Sequence, residues 1–453
     1  MGVRVIIIGA GISGLSLAAS LMEKEGIEDI TVLESSRRAG GKVWSERAEG
    51  YILEGGVNGF LDNKPTTLEL ASKLSMTPYR SSDEARKRFV VSDGLLRRLP
   101  ESPPAFLRSP LMGVMGKLRL ALEPFIPPLS PEKEESLADF GRRRLGREAF
   151  EKLIDPMASG IFAGDPEKMS LKHCFPRINA MEQQYGSLIR AMIKLTAERK
   201  KSVSAAPGGT LTSFEGGLGD MTQALREHVG DRLRLASGVS SIDKTSSGYK
   251  VLLVDGTTME ADTVALACPA YSASGILSHL DKSVANEMGR VYYPPLSVVA
   301  LGFRKDRVGI PLDAFGFLIP FREGRKILGT LYDSSVFLNR APEGMALLRS
   351  MAGGARNPAV AELDDRKLTD VVFSELRDIT GLRADPEFVR IYRHEHAIPQ
   401  YNLGHGALLE AVDALERKHK GIYVTGNAYR GVSFNDCIAN SMGLSERISR
   451  EMG

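Results

Sequence analysis

Cysteine and net charge are scarce in this 453-residue chain. Three cysteines with no CxxC pair exclude a disulfide scaffold and suit a reducing cytoplasm. The formal charge is only +3, so the overall charge gives no reason to expect nucleic acid as a partner. Internal repeats, low-complexity tracts, a GxSxG sequence and a Walker A sequence are all absent. The remaining composition, 43% hydrophobic and 25% charged, is that of a globular chain long enough for two or three domains.

One uncharged run, Val5 to Met22, could be mistaken for a signal peptide or a membrane helix. Its start is a β-branched segment, Val3 to Ile8, which predicts a strand buried on both faces. A helical pattern follows from Ile12 to about Lys24, after three interrupting glycines: Gly9, Gly11 and Gly14. Because the strand begins at residue 3, we expect no cleavable leader and a cytoplasmic protein.

The sequence GAGISG, Gly9 to Gly14, lies between this strand and this helix. The three glycines of such a turn allow a tight bend, close approach of a pyrophosphate, and packing of the helix on the strand. The helix N-terminus then offers free N–H groups to the phosphates. Ile30 to Leu33 predicts the second parallel strand, and Glu34 follows it at the position of a ribose-binding acid. The pattern predicts a dinucleotide-binding domain.

The identity of the dinucleotide is indicated by Arg38, Gly40, Gly41 and Lys42, an RxGG stretch just beyond Glu34. This stretch resembles the flavin-dependent amine oxidase and desaturase superfamily, which implies FAD rather than NAD. No second GxGxxG follows a strand, as a pyridine-nucleotide–disulfide reductase would require. Electrons should therefore come from an organic substrate and leave to oxygen or another acceptor.

A glycine-rich loop, Leu53 to Leu61, precedes a helix predicted near Thr66 to Leu74. Its glycines indicate backbone packed closely against a ligand, and an ordinary glycine-rich turn is the other interpretation. Further along, strands are predicted at Thr263 to Ala267 and Gly421 to Ala428, with an antiparallel meander before the first of them. One long helix is predicted near Asp365 to Thr380.

These patterns predict an α/β fold: a Rossmann-type FAD-binding domain, a mixed-sheet substrate domain and a helical insertion that could associate with a membrane. The expected segments are 1–80, 206–270 and 396–453 for the FAD domain, 81–205 for the helical insertion and 271–395 for the substrate domain.

The segment 81–205 is expected to be largely helical, with proline breaks. Basic and large apolar residues alternate in its stretch 100–130, which suits a surface that lies on a membrane without spanning it. A helical domain with a solvated basic face is the competing interpretation. Arg142, Arg143 and Arg144 are interpreted as a solvated helix face.

Three longer motifs then coincide: PMASGIFAGDPEKMS from Pro156, HAIPQYNLGH from His396, and GNAYRGVSFNDC from Gly426. Together with SMAGGARNP from Ser350, they resemble the protoporphyrinogen and coproporphyrinogen oxidase family, oxygen-dependent flavoenzymes of haem synthesis. The resemblance covers nearly the whole chain.

By this resemblance, one set of residues would contact a non-covalently bound FAD. Asn427 stands where related folds often carry an acid on the ribityl chain, so its contact would be a neutral hydrogen bond. The implied contacts are Gly9, Ala10, Gly11, Ile12, Ser13, Gly14, Glu34, Ser35, Lys42, Gly56, Val57, Asn58, Gly59, Val239, Asn427, Val432, Ser433 and Phe434.

The resemblance also implies a substrate pocket. Arg97 would bind a propionate, with its neighbour Arg98 leaving the register open by one residue. Gly160 would lie near the reacting edge of the macrocycle, and Leu331 and Met351 would enclose the tetrapyrrole rings. No acid–base residue is required, since the flavin carries the chemistry.

The implied reaction is the six-electron oxidation of protoporphyrinogen IX to protoporphyrin IX. It would proceed by three hydride transfers to flavin N5, with oxygen as acceptor and hydrogen peroxide released. Oxidation of coproporphyrinogen III to coproporphyrin III is the closest alternative. More distant ones are an amine oxidase or desaturase, which the single tryptophan, Trp44, does little to support, and a non-catalytic flavin-dependent porphyrin carrier.

No metal site is expected: His394, His396 and His405 are interpreted as structural or surface residues, and Cys437 as a small buried residue rather than a flavin attachment point. The expected partners are a porphyrinogen and oxygen, with peripheral contact to the inner face of the cell membrane through residues of about 100–130. The resemblance leaves open a homodimer and transfer of product to a downstream chelatase of haem synthesis.

Overall fold

The computed structural model describes residues 2–199 and 209–452, so the expected boundary between 205 and 206 lies outside the described residues. The strands are β1 Val3–Ile8, β2 Ile27–Leu33, β3 Ser45–Ala48, β4 Tyr51–Glu54, β5 Phe60–Leu61, β6 Tyr79–Arg80, β7 Lys87–Ser92, β8 Leu95–Arg98, β9 Leu211–Ser213, β10 Leu233–Arg234, β11 Val239–Lys244, β12 Tyr249–Leu253, β13 Thr258–Ala261, β14 Thr263–Leu266, β15 Leu296–Arg304, β16 Ala314–Leu318, β17 Ile327–Leu331, β18 Met345–Gly353, β19 Phe388–His394 and β20 Ile422–Val424.

The α-helices are α1 Ile12–Leu21, α2 Pro65–Lys73, α3 Pro103–Arg108, α4 Val114–Ala121, α5 Leu137–Phe140, α6 Arg147–Ala149, α7 Asp155–Phe162, α8 Leu171–Cys174, α9 Pro176–Tyr185, α10 Leu188–Arg199, α11 Gly219–Val229, α12 Ala270–Leu277, α13 Lys282–Gly289, α14 Asp333–Val336, α15 Pro358–Ala361, α16 Asp365–Thr380, α17 His405–Lys418 and α18 Phe434–Met452. Within the described residues, no helix is both long enough and apolar enough to span a membrane.

A five-stranded parallel sheet, in the order β10-β2-β1-β14-β20, forms the first core. Helices α1, α11 and α18 cover one face, and α12, α13, α17 and the antiparallel meander β11-β12-β13 cover the other. A sheet buried on both faces explains why β1 and β14 are continuous apolar runs. The predicted strands of this sheet, and the meander, are confirmed.

The second core is a seven-stranded mixed sheet in the order β19-β15-β18-β17-β16-β7-β8, in which only the β16–β7 pair is parallel. Helix α16, whose predicted bounds are confirmed, packs its Leu368, Val372 and Leu376 against one face. The opposite face is turned toward the glycine-rich loop of the first domain, where Arg349 on β18 reaches the carbonyl of Gly56.

The segment 81–205 differs from the expectation at its start. Its residues 87–98 form β7 and β8, the outer strands of the seven-stranded sheet, and α-helices begin only at Pro103. β7 begins with two charged residues, Lys87 and Arg88, so its sequence does not indicate a strand. The segment is a strand because it pairs with β16. The division into five segments remains a prediction.

The interpretation of Arg144 as a solvated residue is wrong. Its guanidinium is fully buried, where Nε donates to Glu182 Oε1 at 2.9 Å and Nη1 lies 3.3 Å from Glu123 Oε1. Arg143 shares Glu182 and is only partly exposed, and Arg142 alone is solvated, beside Glu167. Residues 141–145 form a π-helical turn, and because consecutive residues of a helix do not share a face, the three arginines point to different sides.

Candidate functional site

The turn between β1 and α1 has the geometry of a phosphate-binding turn. Gly9 has φ +106°, and a Cβ at Gly14 would lie 1.9 Å from the Gly9 carbonyl oxygen, so both positions require glycine. A Cβ at Gly11 would meet no atom of the described residues within 4 Å. The N-terminus of α1 has no side-chain cap at Gly11, and an uncapped helix start is suited to bind an anion through its N–H groups. A phosphate of the expected cofactor fits this space.

The carboxylate of Glu34 is fixed at the end of β2. Its Oε2 accepts a hydrogen bond from the Ala10 amide at 2.8 Å, and its Oε1 accepts one from the Ser36 amide at 2.9 Å. The backbone N–H of Ser237 donates to the Glu34 carbonyl at 2.7 Å, which brings the start of β11, at Val239, close to Ser35. Four of these residues, Ala10, Glu34, Ser35 and Val239, belong to the predicted set, and they lie around the place expected for the adenosine ribose.

The RxGG stretch folds back onto the phosphate turn. The Gly40 amide donates to the Ala10 carbonyl at 2.8 Å, and the Arg38 guanidinium donates to the Gly41 carbonyl at 2.7 Å. Lys42 points away from the turn: its ammonium donates to the Ala397 carbonyl and lies 4.8 Å from the ring centre of Tyr293. Burial lowers the pKa of Lys42 to about 8. A cofactor contact through this side chain stays a prediction.

The glycine-rich loop is explained largely by packing within the protein. A Cβ at Gly55 would lie 2.4 Å from the Trp44 ring, one at Gly56 2.5 Å from the Lys42 carbonyl oxygen, and one at Gly59 2.7 Å from the Thr212 carbonyl oxygen. Asn58 differs, because both polar atoms of its amide are buried without a hydrogen-bond partner in the described part of the chain. A polar ligand edge beside Asn58 would satisfy them.

The C-terminal motif supplies a second open position. A Cβ at Gly426 would meet nothing within 4 Å, and the buried hydroxyls of Thr425 and Tyr429 have no partner among the described residues. Tyr401 holds the following turn, since its hydroxyl donates to the Asn427 carbonyl at 2.7 Å and accepts from the Gly431 amide at 2.9 Å.

The remaining residues predicted in this motif point in different directions. Phe434 stacks on Phe60 in the first core, Val432 packs beside the helices α5 and α7, and Ser433 caps α18 by accepting from the Asp436 amide at 3.1 Å. Any contact of Phe434 with a cofactor would therefore use its backbone.

Three of the predicted substrate residues lie on one face of the seven-stranded sheet. Register pairs Arg97 with Val90, Val90 with Leu318, Leu318 with Gly329 and Gly329 with Met351, which makes one row across five strands. Because neighbouring strands lie about 4.8 Å apart, Arg97 and Met351 are separated by about 19 Å.

A second row on the same face contains Leu331. It pairs with Gly316 on one side and with Arg349 on the other. Gly160, at the exposed end of α7, lies over the first row, where a Cβ on it would come within 2.6 Å of Leu318 Cδ2. Leu318, Leu331 and Met351 are apolar and only half-buried. We refer to the sheet face that carries them, with Arg97 at its outer end, as the trough.

The register also separates Arg97 from Arg98. Arg98 pairs with Phe89, which packs in the core beneath α16, and forms an ion pair with Glu101 at 2.7 Å. Arg97 is therefore the arginine on the face that carries Leu331 and Met351.

Sequence reasoning missed the residue that connects this trough to the glycine-rich loop. Arg349 is buried, donates to the Gly56 carbonyl at 2.9 Å, and forms an ion pair with Asp333 at 2.6 Å. No local pattern marks an arginine inside a strand as functional. Its place one residue before the SMAGGARNP motif is the only signal that could have found it.

Comparisons with known proteins agree with this architecture. Residues 12–448 match the family model described as flavin containing amine oxidoreductase. The chain is 34% identical to the chloroplastic protoporphyrinogen oxidase of Oryza sativa subsp. japonica, over 98% of this chain and 88% of that one. It is 30% identical to the coproporphyrinogen III oxidase of Bacillus subtilis, over 96% of this chain and 95% of that one.

A solved structure from Exiguobacterium sp. 255-15, whose name assigns it provisionally as a protoporphyrinogen oxidase, superposes with a TM-score of 0.85 at 26% identity, over 100% of both chains. The chain belongs to the flavin-containing amine oxidoreductases and, within them, to the protoporphyrinogen and coproporphyrinogen oxidase family.

Proposed function

We propose that this protein oxidises protoporphyrinogen IX to protoporphyrin IX in haem synthesis, with FAD as cofactor and oxygen as electron acceptor. The observation that carries the proposal is the trough on the seven-stranded sheet. It has the cation of Arg97 at its outer end, the apolar walls Leu331 and Met351, and the cofactor loop beyond Arg349. An apolar macrocycle with acidic arms has the matching chemistry.

FAD would be held by the turn Gly9–Gly14, the carboxylate of Glu34 and the amide of Asn58. When bound, it supplies a two-electron acceptor that oxygen can reoxidise. Non-covalent binding is supported by Cys437, because burial raises the pKa of its thiol to about 11 and a protonated thiol is a poor nucleophile.

The protein's own contribution is to orient the substrate. The fork of Arg97 can bind a carboxylate through two hydrogen bonds, which fixes one end of the macrocycle. Leu331 and Met351 exclude water from its faces, while Gly160 packs closely on Leu318 and has no room for a side chain. Holding a bridging carbon close to the cofactor accelerates the reaction by proximity and needs no strong base.

Coproporphyrinogen III oxidation is the second candidate, and it is favoured by the relative in Bacillus subtilis that carries this name. The test measures turnover of both porphyrinogens by the purified protein, with oxygen consumption and porphyrin fluorescence recorded together. Faster oxidation of coproporphyrinogen would replace the proposed substrate. Anaerobic addition of porphyrinogen should bleach the yellow protein, whereas a non-catalytic carrier would keep its colour.

We further propose that the protein rests on a membrane surface through the segment of α3 and α4. Large apolar side chains of this segment are solvent-exposed and lie near basic ones, among them Leu107, Val114, Met115, Leu118, Leu122 and Phe125. Apolar groups beside basic groups suit an interfacial surface.

A further inference from the structure

The outer strand pair β7–β8 and the residue before it, Arg86, carry five cations, of which three are ion-paired. Arg86 pairs with Asp83, Lys87 with Asp313, and Arg98 with Glu101. Neither Arg88 nor Arg97 has a carboxylate within 4.0 Å or a side-chain hydrogen bond in the part of the chain that the structure describes. Two cations at this edge of the sheet therefore have no direct ion-pair partner.

Both arginines that have no direct ion-pair partner lie on the trough face. Arg97 is opposite Val90, and the Leu99 amide donates to the Arg88 carbonyl at 2.8 Å, so Arg88 and Arg97 are diagonal neighbours on one face. Diagonal Cα atoms in an antiparallel pair lie about 7–8 Å apart. The two guanidinium groups can reach two separate carboxylates on one side of a ligand.

Each of the two arginines lies in one of the two rows of paired residues, and each row also contains one wall residue. The row of Arg97 leads to Met351, and the row of Arg88 passes through Gly316 to Leu331. Gly316 lies between Arg88 and Leu331 and presents no side chain, whereas the row of Arg97 carries the side chains of Val90 and Leu318. The Arg88 guanidinium is held 5.0 Å from the ring centre of Phe315, the residue next to Gly316.

We propose that Arg88 is a second substrate-binding residue and that Arg88 and Arg97 bind two carboxylate arms from the same side of the macrocycle. This inference rests on the proposed function and narrows its substrate class to porphyrinogens with two neighbouring acidic arms. Two neighbouring guanidinium groups that lack direct ion-pair partners repel each other, and a ligand with two carboxylates relieves the repulsion while forming charge-assisted hydrogen bonds.

The test compares Arg88→Gln, Arg97→Gln and the control Arg98→Gln, whose side chain lies on the opposite face. The probes are protoporphyrin IX and its dimethyl ester, titrated into the FAD-loaded protein and followed by porphyrin absorbance. We expect each of the first two variants to bind the diacid about tenfold more weakly and the ester unchanged. Arg98→Gln should match the parent protein for both probes, and Arg88→Lys should recover part of the loss.

The double variant Arg88→Gln/Arg97→Gln should bind the diacid more weakly than either single variant, because each arginine holds its own carboxylate. A double variant no weaker than either single one would mean that both arginines hold one carboxylate, which overturns the two-arm assignment. If Arg88→Gln binds the diacid as tightly as Arg98→Gln does, the role of Arg88 is overturned. Failure of the parent protein to bind either probe or to oxidise any porphyrinogen would instead reject the proposed function.

Discussion

The three glycines of the turn between β1 and α1 are needed for different reasons, and their spacing alone does not distinguish these reasons. Gly9 and Gly14 are required by the backbone, whereas Gly11 has φ −74° and ψ −179°, a conformation that any residue can adopt, and faces open space. A side chain at position 11 would therefore clash with the bound cofactor and not with the protein.

Gly11→Val should consequently fold normally and purify colourless, because its side chain fills the space expected for the pyrophosphate. Thermal unfolding should give a Tm close to that of the flavin-free parent protein, and visible absorbance should show no flavin. Gly14→Val is the matched contrast, since its side chain would clash with the Gly9 carbonyl and prevent folding. A yellow Gly11→Val protein would refute the assignment of this turn.

Arg349 shows how much one buried charge can matter. Arg349→Met would leave the carboxylate of Asp333 buried and unpaired, which typically costs about 3–5 kcal/mol. Urea unfolding should report a loss of this size, and the double variant Arg349→Met/Asp333→Asn should recover part of it. Equal stability of the single variant and the parent protein would contradict the role given to the ion pair.

At the scale of elements, the local sequence pattern was sufficient to predict those helices and strands whose structure depends on their own residues. The run β1, its glycine turn and α1 follow from β-branched and glycine positions, and α16 follows from its apolar spacing. Strands β7 and β8 could not be found in this way, because their charged residues occupy positions set by pairing with β16. The trough therefore depends on long-range register.

The exposed helix α4 gives a prediction at this scale. Met115→Asp should reduce flotation of the protein with anionic liposomes several-fold, because a carboxylate replaces a side chain that is 77% exposed. Val254→Asp is the control, since Val254 is 76% exposed but lies beyond the meander strand β12. Turnover of porphyrinogen without membranes should be unchanged in both. Equal flotation of the two variants would reject the membrane proposal.

At the scale of the whole molecule, buried histidines predict sensitivity to acid. Burial lowers the pKa of His405 to about 4, and its Nε2 lies 2.9 Å from the Tyr429 carbonyl oxygen. Burial also lowers the pKa values of His173, His394 and His419. The folded protein thus disfavours protonation of groups that accept a proton near pH 6.5 when unfolded.

Above about pH 6.5 these histidines should therefore not reduce the free energy of unfolding. As the pH falls from there toward 4, the free energy of unfolding should decrease. Urea unfolding between pH 7.5 and pH 4.5 measures this decrease. His405→Gln should reduce the slope, because glutamine can donate to Tyr429 without titrating. An unchanged slope in that variant would assign the acid sensitivity to other groups.

The amino-acid sequence by itself determined the dinucleotide turn, the acid that follows the second strand, the alternation of sheet and helix, and the motifs typical of the family. These features are local, since each depends on residues a few positions apart. Only the tertiary structure decided which of two adjacent arginines faces Leu331 and Met351, that Arg144 is buried, and that Arg349 joins the seven-stranded sheet to the glycine-rich loop. A one-residue shift in register reverses the face of a strand, and only pairing with distant strands fixes that register.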